Sequence, residues 1–346
     1  MSTDALLTVR DLHTYLATRH GVVRAVDGVS FTVGQAEVVG VVGESGCGKT
    51  VTCRTIMGLM PRRGTYNSGE VVYHPRGSGN LLGLPQNQMQ QLRGAHLAMI
   101  FQDPMTALNP VRTIGDQLLE AVTAHAVLTR EQARGRALSL LVRVGIPAPE
   151  QRMRDYPFQF SGGMLQRALI AIALASEPKL LLADEPTTSL DVIIQDQILS
   201  LLLELQRDTG MSMILVSHDL AVITEVCDRI IVMYGGQVVE EGDTETIIAQ
   251  PAHPYTRALL DALPAGAGTP SEGGERGQLR SIPGSPPSLI DTPPGCRFAP
   301  RCPLVTDDCR TWNTELLDST EAGHRVRCLR HEEARELGAW QASDSA

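Results

Sequence analysis

The chain opens with closely spaced apolar runs of the β type: Leu6–Val9, Val22–Val26 and Val29–Val33. Next comes Val38–Val42, a near-continuous apolar run bounded by glycine, the pattern of a strand buried on both faces. A glycine-rich turn and a segment of helical composition, Thr50–Leu59, follow. Residues 69–100 read as short strands and a turn-rich excursion that ends in the apolar run Leu97–Phe101. From Thr113 to Gly145 the period is helical, with Leu118, Leu119, Val122, Ala126, Leu138, Leu141 and Val144 set among polar residues. Two helix–strand pairs succeed it, Gly163–Ser176 into Leu180–Ala183 and Val192–Thr209 into Met213–Val216. A short helix, the strand Arg229–Met233 and a turn at Gly235-Gly236 complete the pattern. Strands alternating with helices predict an α/β sheet. Beyond Pro264, glycine, proline and serine dominate as far as residue 295, which reads as an irregular linker and places a domain boundary there.

Composition narrows the function classes. The 346 residues allow one large domain with an appendage, and 42% apolar residues supply a sizeable core. A net charge of -9 argues against a nucleic-acid binder that relies on a basic surface. The richest apolar stretch, Ala168–Ala183, is broken by Ser176–Lys179, short of the roughly 18–20 apolar residues of a membrane helix. No secretory leader is visible. The chain is expected to be soluble and cytosolic, with any membrane link passing through a partner.

The segment Gly43-Glu44-Ser45-Gly46-Cys47-Gly48-Lys49-Thr50 fits G-x-x-x-x-G-K-[ST] at every fixed position, between an apolar strand and a helix. Glycines let backbone N–H groups point inward at phosphates, and the following helix N-terminus adds partial positive charge. Lys49 is placed for β- and γ-phosphates and the Thr50 hydroxyl for magnesium. Lys49 and Lys179 are the only lysines, and a compact point charge suits a phosphate site. A second element, Leu180-Leu181-Leu182-Ala183-Asp184-Glu185, is a buried strand ending in adjacent carboxylates at the sheet edge where ligands of open α/β folds bind. Consecutive strand side chains diverge, so the two acids should do different work. Asp184 is placed to hold hydrated magnesium and Glu185 to orient and deprotonate the attacking water.

Over roughly residues 5–260 the chain resembles the ABC ATPase family. Phe160-Ser161-Gly162-Gly163-Met164 looks like the family's LSGGQ signature, departing at its first and fifth positions. The resemblance implies that Ser161, Gly162 and Gly163 touch the γ-phosphate held by an opposite subunit, so that two chains pair head-to-tail. It implies a magnesium- and γ-phosphate-sensing role for Gln102, a D-loop at Ser189-Leu190-Asp191, and a γ-phosphate contact for His218. Tyr15 is the candidate for stacking on adenine, with Phe31 and His13 as competitors. The implied fold is a P-loop ATPase with a RecA-like core sheet, an antiparallel β subdomain and an α-helical subdomain about 103–175. It would occupy residues 1–263, leaving 264–346 as linker and C-terminal extension.

Three further stretches resemble the ATP-binding subunit of oligopeptide/dipeptide importers: Phe101–Pro110, His253–Leu260 and the cysteine-bearing tail. That resemblance implies ATP and magnesium as cofactors and a second ATPase as partner, either a non-identical sibling or a second copy. It also implies two integral membrane permeases, an extracytoplasmic peptide-binding protein, and a peripheral position on the cytoplasmic face of the membrane. The alternatives are an importer ATPase for another small solute (nickel, glutathione, an opine or a sugar) and a non-transport ABC accessory ATPase. A soluble ABC ATPase acting on DNA or the ribosome is disfavoured by the single P-loop, the missing heptads and the negative charge.

Four of the seven cysteines, Cys296, Cys302, Cys309 and Cys328, gather in the tail. Arg297, Arg301, Arg310 and Arg327 beside them would lower thiol pKa values and favour the ligating form. Four thiolates admit a structural zinc or a [4Fe–4S] cluster. The wide spacing and the family resemblance favour the cluster, giving a small, irregular, metal-stapled extension.

Overall fold

The computed structural model describes residues 5–77, 79–188, 190–263, 282–312, 315–319, 321 and 323–336. Ser189 of the expected D-loop and residues 264–281 of the expected linker lie outside them.

Among the described residues eleven strands form: β1 (Ala5–Thr18), β2 (Gly21–Gly34), β3 (Val38–Val42), β4 (Thr65–Tyr73), β5 (Leu97–Ile100), β6 (Leu180–Asp184), β7 (Ser212–Ser217), β8 (Arg229–Tyr234), β9 (Gln237–Asp243), β10 (Leu317–Asp318) and β11 (Arg325–Val326). They make two sheets among the described residues. One is an antiparallel sheet of order β2-β1-β4, and the other has eight strands in the order β10-β11-β9-β8-β3-β7-β6-β5. In the larger sheet β8, β3, β7, β6 and β5 run parallel, while β9, β11 and β10 continue it in antiparallel fashion.

The all-apolar central strands read as they do because both faces of this sheet are covered. Val38, Val42, Leu181, Ala183, Met213 and Leu215 point into one core, with the helices Ile114–Thr123, Arg130–Arg143, Gly162–Ala173 and Val192–Thr209. Val39, Val41, Leu180, Leu182, Ile214 and Val216 point into the other, with the antiparallel sheet and the helix Lys49–Ile56. Period-two alternation thus divides each strand between two layers. The RecA-like core with its antiparallel β layer and helical portion is the α/β architecture expected of an ABC ATPase.

Helix ends follow local chemistry. Thr129 and Gln132 form a reciprocal capping box at Arg130–Arg143, and Asp191 accepts from the Ile194 N–H to open Val192–Thr209. The C-terminal segment joins the body through β11, which pairs with β9, and through Phe298, which packs with Tyr234 and Tyr255 at ring-centroid distances of 5.2 and 5.4 Å. Among the described residues no helix is long and apolar enough to cross a membrane.

Candidate active site

The register of the parallel strands brings the candidate residues together. Val42 lies opposite Ser217, Asp184 opposite Val216 and Ile100 opposite Ala183. β3, β5, β6 and β7 therefore end along one edge. The P-loop, Gln102, the acidic pair and His218 all follow from those ends, the crevice where open α/β sheets bind ligands.

The loop can close as it does only with glycine at two positions. A Cβ on Gly43 (φ 153) would meet the Met233 carbonyl oxygen at 2.1 Å, and one on Gly48 (φ 105) would meet the Ala25 carbonyl oxygen at 2.3 Å. Lys49 is 5% exposed, and its Nζ donates to the carbonyls of Gly43 at 2.6 Å and Glu44 at 3.2 Å. Cys47 is buried at the loop's base, and desolvation pushes its thiol above the ordinary value. Ser45 and Gly46 are exposed at the loop's tip.

The Thr50 hydroxyl donates to Asp184 Oδ1 at 2.9 Å. Asp184 is fully buried, yet its Oδ2 has no hydrogen-bond partner. Desolvation raises the Asp184 pKa above the usual carboxylate value, against the opposing hydrogen bond from Thr50. A desolvated carboxylate with one free oxygen beside a threonine hydroxyl fits a hard divalent cation, which takes oxygen donors. Thr50 and Asp184 thus suit magnesium.

At Glu185 the backbone turns left-handed (φ 46), a conformation that costs a non-glycine residue of order 1–3 kcal/mol. The peptide stays tied to the sheet through its N–H, which donates to the Val216 carbonyl at 3.0 Å. Glu185 Oε2 accepts from Gln102 Nε2 at 3.0 Å and from the Thr188 hydroxyl at 2.7 Å, and lies 3.3 Å from His218 Nδ1. Three elements after three different strands thus meet on one carboxylate oxygen. Thr188 was not found from sequence. Its signal was a hydroxyl three residues beyond the glutamate, within reach across a turn.

Ser161, Gly162 and Gly163 lie apart from this cluster, at the N-terminus of the helix Gly162–Ala173. Ser161 caps it, its Oγ accepting from the Met164 N–H at a long 3.4 Å, and both Ser161 and Gly162 are exposed. A Cβ on Gly163 would meet Ile194 Cγ2 at 2.8 Å, so the glycine lets two helix starts approach. Tyr15 is half-buried, and its hydroxyl donates to Asp27 Oδ1 at 2.5 Å. Burial, then this bond, push its pKa up to about 12. Of its competitors, Phe31 is buried in the core and His13 is hydrogen-bonded to both Tyr15 and Asp27.

The tail requires a correction. Cys296, Cys302, Cys309 and Cys328 line one small apolar cavity of ≈ 10 Å³ with Phe298 and Trp312. Among the described residues, however, no group of three or more His, Cys, Asp or Glu side chains could hold a metal ion. The expected [4Fe–4S] cluster, and zinc as its alternative, are therefore not supported by the site. Arg327 acts to lower the Cys296 pKa, but two of the adjacent arginines spend their charge elsewhere. Arg297 pairs with Asp27 and Arg301 with Glu44. Desolvation dominates instead, pushing Cys296 and Cys328 up and Cys302 up to about 12. Among the described residues, ion pairs, strand pairing and aromatic packing fasten this segment.

Residues 26–188 match the family model for ABC transporters, and residues 239–309 match the model for the oligopeptide/dipeptide transporter C-terminal region. The chain is 46% identical to a probable peptide ABC transporter ATP-binding protein, y4tR, of Sinorhizobium fredii, over 96% of this chain and 97% of that one. It is 47% identical to the dipeptide transport ATP-binding protein DppD of Bacillus subtilis, over 94% of each chain. Among solved structures, a dimeric post-hydrolysis state of the ATP-binding cassette MJ0796 bound to ADP and phosphate superimposes with a TM-score of 0.61. It shares 26% identity and covers 69% of this chain and 98% of its own. CbiO1 of Clostridium perfringens, part of the cbiONQ transporter complex, gives a TM-score of 0.59 at 27% identity, over 71% of this chain and 91% of that one. With a P-loop, an acidic pair and a Ser-Gly-Gly helix start on this fold, the chain belongs to the ATP-binding subunits of the oligopeptide/dipeptide ABC importer family.

Proposed function

We propose that this chain hydrolyses ATP to power import of di- and oligopeptides across the cytoplasmic membrane, from that membrane's cytoplasmic face. It pairs head-to-tail with a second ATPase beneath two permease subunits fed by a peptide-binding protein. The observation that carries the catalytic part is the meeting of Gln102, Thr188 and His218 on Glu185, next to the Thr50–Asp184 pair.

The P-loop N–H groups and Lys49 bind the triphosphate, with the Tyr15 ring against the base. Thr50 and Asp184 would hold magnesium, with Gln102 beside it after β5, and the ion would supply neutralisation of the phosphate charge. Glu185 accepts the proton of the attacking water and fixes its line of approach to the γ-phosphorus. Gln102 and His218, both donors to Glu185, have the γ-phosphate oxygens and the water as alternative acceptors, so they report its presence. Ser161, Gly162 and Gly163 present a helix N-terminus with an outward hydroxyl, suited to the γ-phosphate of the opposing subunit. Asp191, at the next helix start, would line the same interface. Each hydrolytic centre thus needs two chains.

Reconstitution tests the transport reading. Co-expressed with its permeases and supplied with binding protein, the complex should hydrolyse ATP faster when peptide is added. A chain that never associates with integral membrane subunits, or turnover indifferent to peptide, would refute it.

A further inference from the structure

The C-terminal segment reaches the phosphate loop directly. Arg301 and Glu44 side chains are 5% and 25% exposed and form a two-pronged ion pair, Nη1 to Oε2 at 2.8 Å and Nη2 to Oε1 at 3.0 Å. The same guanidinium donates from Nε to the Pro283 carbonyl at 2.7 Å, from Nη1 to the Tyr234 hydroxyl at 3.1 Å, and from Nη2 to the Ile282 carbonyl at 3.3 Å. All five N–H donors of the fork are thereby used, which fixes its plane and position. Burial works against its charge, but hydrogen bonds with Glu44 and Tyr234 outweigh that and hold its pKa above the ordinary value. Glu44 is also held through its backbone. Its N–H donates to the buried Tyr255 hydroxyl at 2.8 Å, and its carbonyl accepts from Lys49 at 3.2 Å.

A carboxylate in a loop that binds a polyanion is repulsive unless it is neutralised. We propose that Arg301 is a positioning residue for the nucleotide site: from the C-terminal segment it cancels the Glu44 charge and fixes that turn of the P-loop for the triphosphate. This rests on the reading that residues 43–50 hold the phosphates. The segment is then a working part of the ATP site, and chemistry that disturbs its fold would reach nucleotide affinity through this side chain.

The test is MgATP binding and steady-state hydrolysis by the full-length chain. Arg301→Ala should weaken binding and raise KM about tenfold, with kcat at saturation within about twofold, and the penalty should shrink as salt screens the exposed carboxylate. Glu44→Gln leaves the Arg301 charge uncompensated and should tighten MgATP binding about two- to fivefold. The double variant should recover most of the affinity lost in Arg301→Ala. An Arg301→Ala affinity equal to wild type, or a double variant as weak as Arg301→Ala, would overturn the proposal. If Arg301→Ala does not fold, Glu44→Gln decides alone, and weaker binding in it overturns the proposal. Lys49→Ala separates the two levels, since wild-type binding in that variant refutes the phosphate-site reading itself.

Discussion

The ion pair between Asp27 on β2 and Arg297 in the C-terminal segment is nearly dry, with side chains 11% and 6% exposed. Arg297 also donates to the Gly235 carbonyl, while Asp27 accepts from Tyr15 and contacts His13. Burial alone would raise the Asp27 pKa, but the Tyr15 hydrogen bond and the Arg297 charge outweigh it and hold the pKa below the ordinary value. Removing one partner strands the other charge in a desolvated site, which costs about 3–5 kcal/mol. The two losses should be unequal. Asp27→Leu leaves Arg297 with one carbonyl and deprives the Tyr15 hydroxyl of its acceptor, which adds about 1 kcal/mol. Arg297→Met leaves Asp27 with two remaining partners and should cost the smaller amount. The double variant buries no stranded charge, so it should cost less than Asp27→Leu alone. Urea unfolding of the four proteins gives the coupling energy directly, expected at about 2 kcal/mol or more. Additive single losses would refute the pairing as the fastening of this segment.

Burial depresses the His253 pKa from 6.5 to about 4, so the folded chain holds it neutral while the unfolded chain protonates it first. Its contribution, of order 3 kcal/mol, is present above pH 6.5 and is lost as pH falls toward 4. His253→Gln should therefore show a smaller stability loss between pH 7 and pH 4.5 than wild type; equal slopes would contradict the assignment. Thr188→Val removes the hydroxyl 2.7 Å from Glu185 Oε2 and should lower kcat about three- to tenfold with KM unchanged. A KM change without a kcat change would place Thr188 in nucleotide binding instead.

Local pattern made much of this chain legible. Val38–Val42 and Leu180–Ala183 announced buried parallel strands because both of their faces are covered, and the P-loop spacing fixed the strand–turn–helix around Lys49. The runs Val22–Val26 and Val29–Val33 looked separate, yet β2 spans both, since pairing with β1 carries the strand across Asp27-Gly28. β9 is not legible because Glu240 and Glu241 interrupt the apolar pattern, and β11 because two residues, Arg325–Val326, carry no period. Both glutamates are buried and held by His324 and Arg325, partners some 84 residues away. Proximity at the site followed from strand order, which sequence implies only through family resemblance. The expected lowering of the thiol pKa values fails for a similar reason. Arg297 and Arg301 are adjacent to thiols in the chain, but their guanidinium groups point to Asp27 and Glu44, which spacing alone does not reveal.

On the proposed mechanism, Glu185 performs the proton transfer at a phosphate site built by the P-loop and Asp184. Glu185→Gln keeps the side chain's size and an acceptor oxygen while removing the base. Measured in the assembled transporter, it should bind MgATP at least as tightly as wild type and hydrolyse it at least ~10²-fold more slowly. Turnover near the wild-type rate would contradict the account and move the base to another residue.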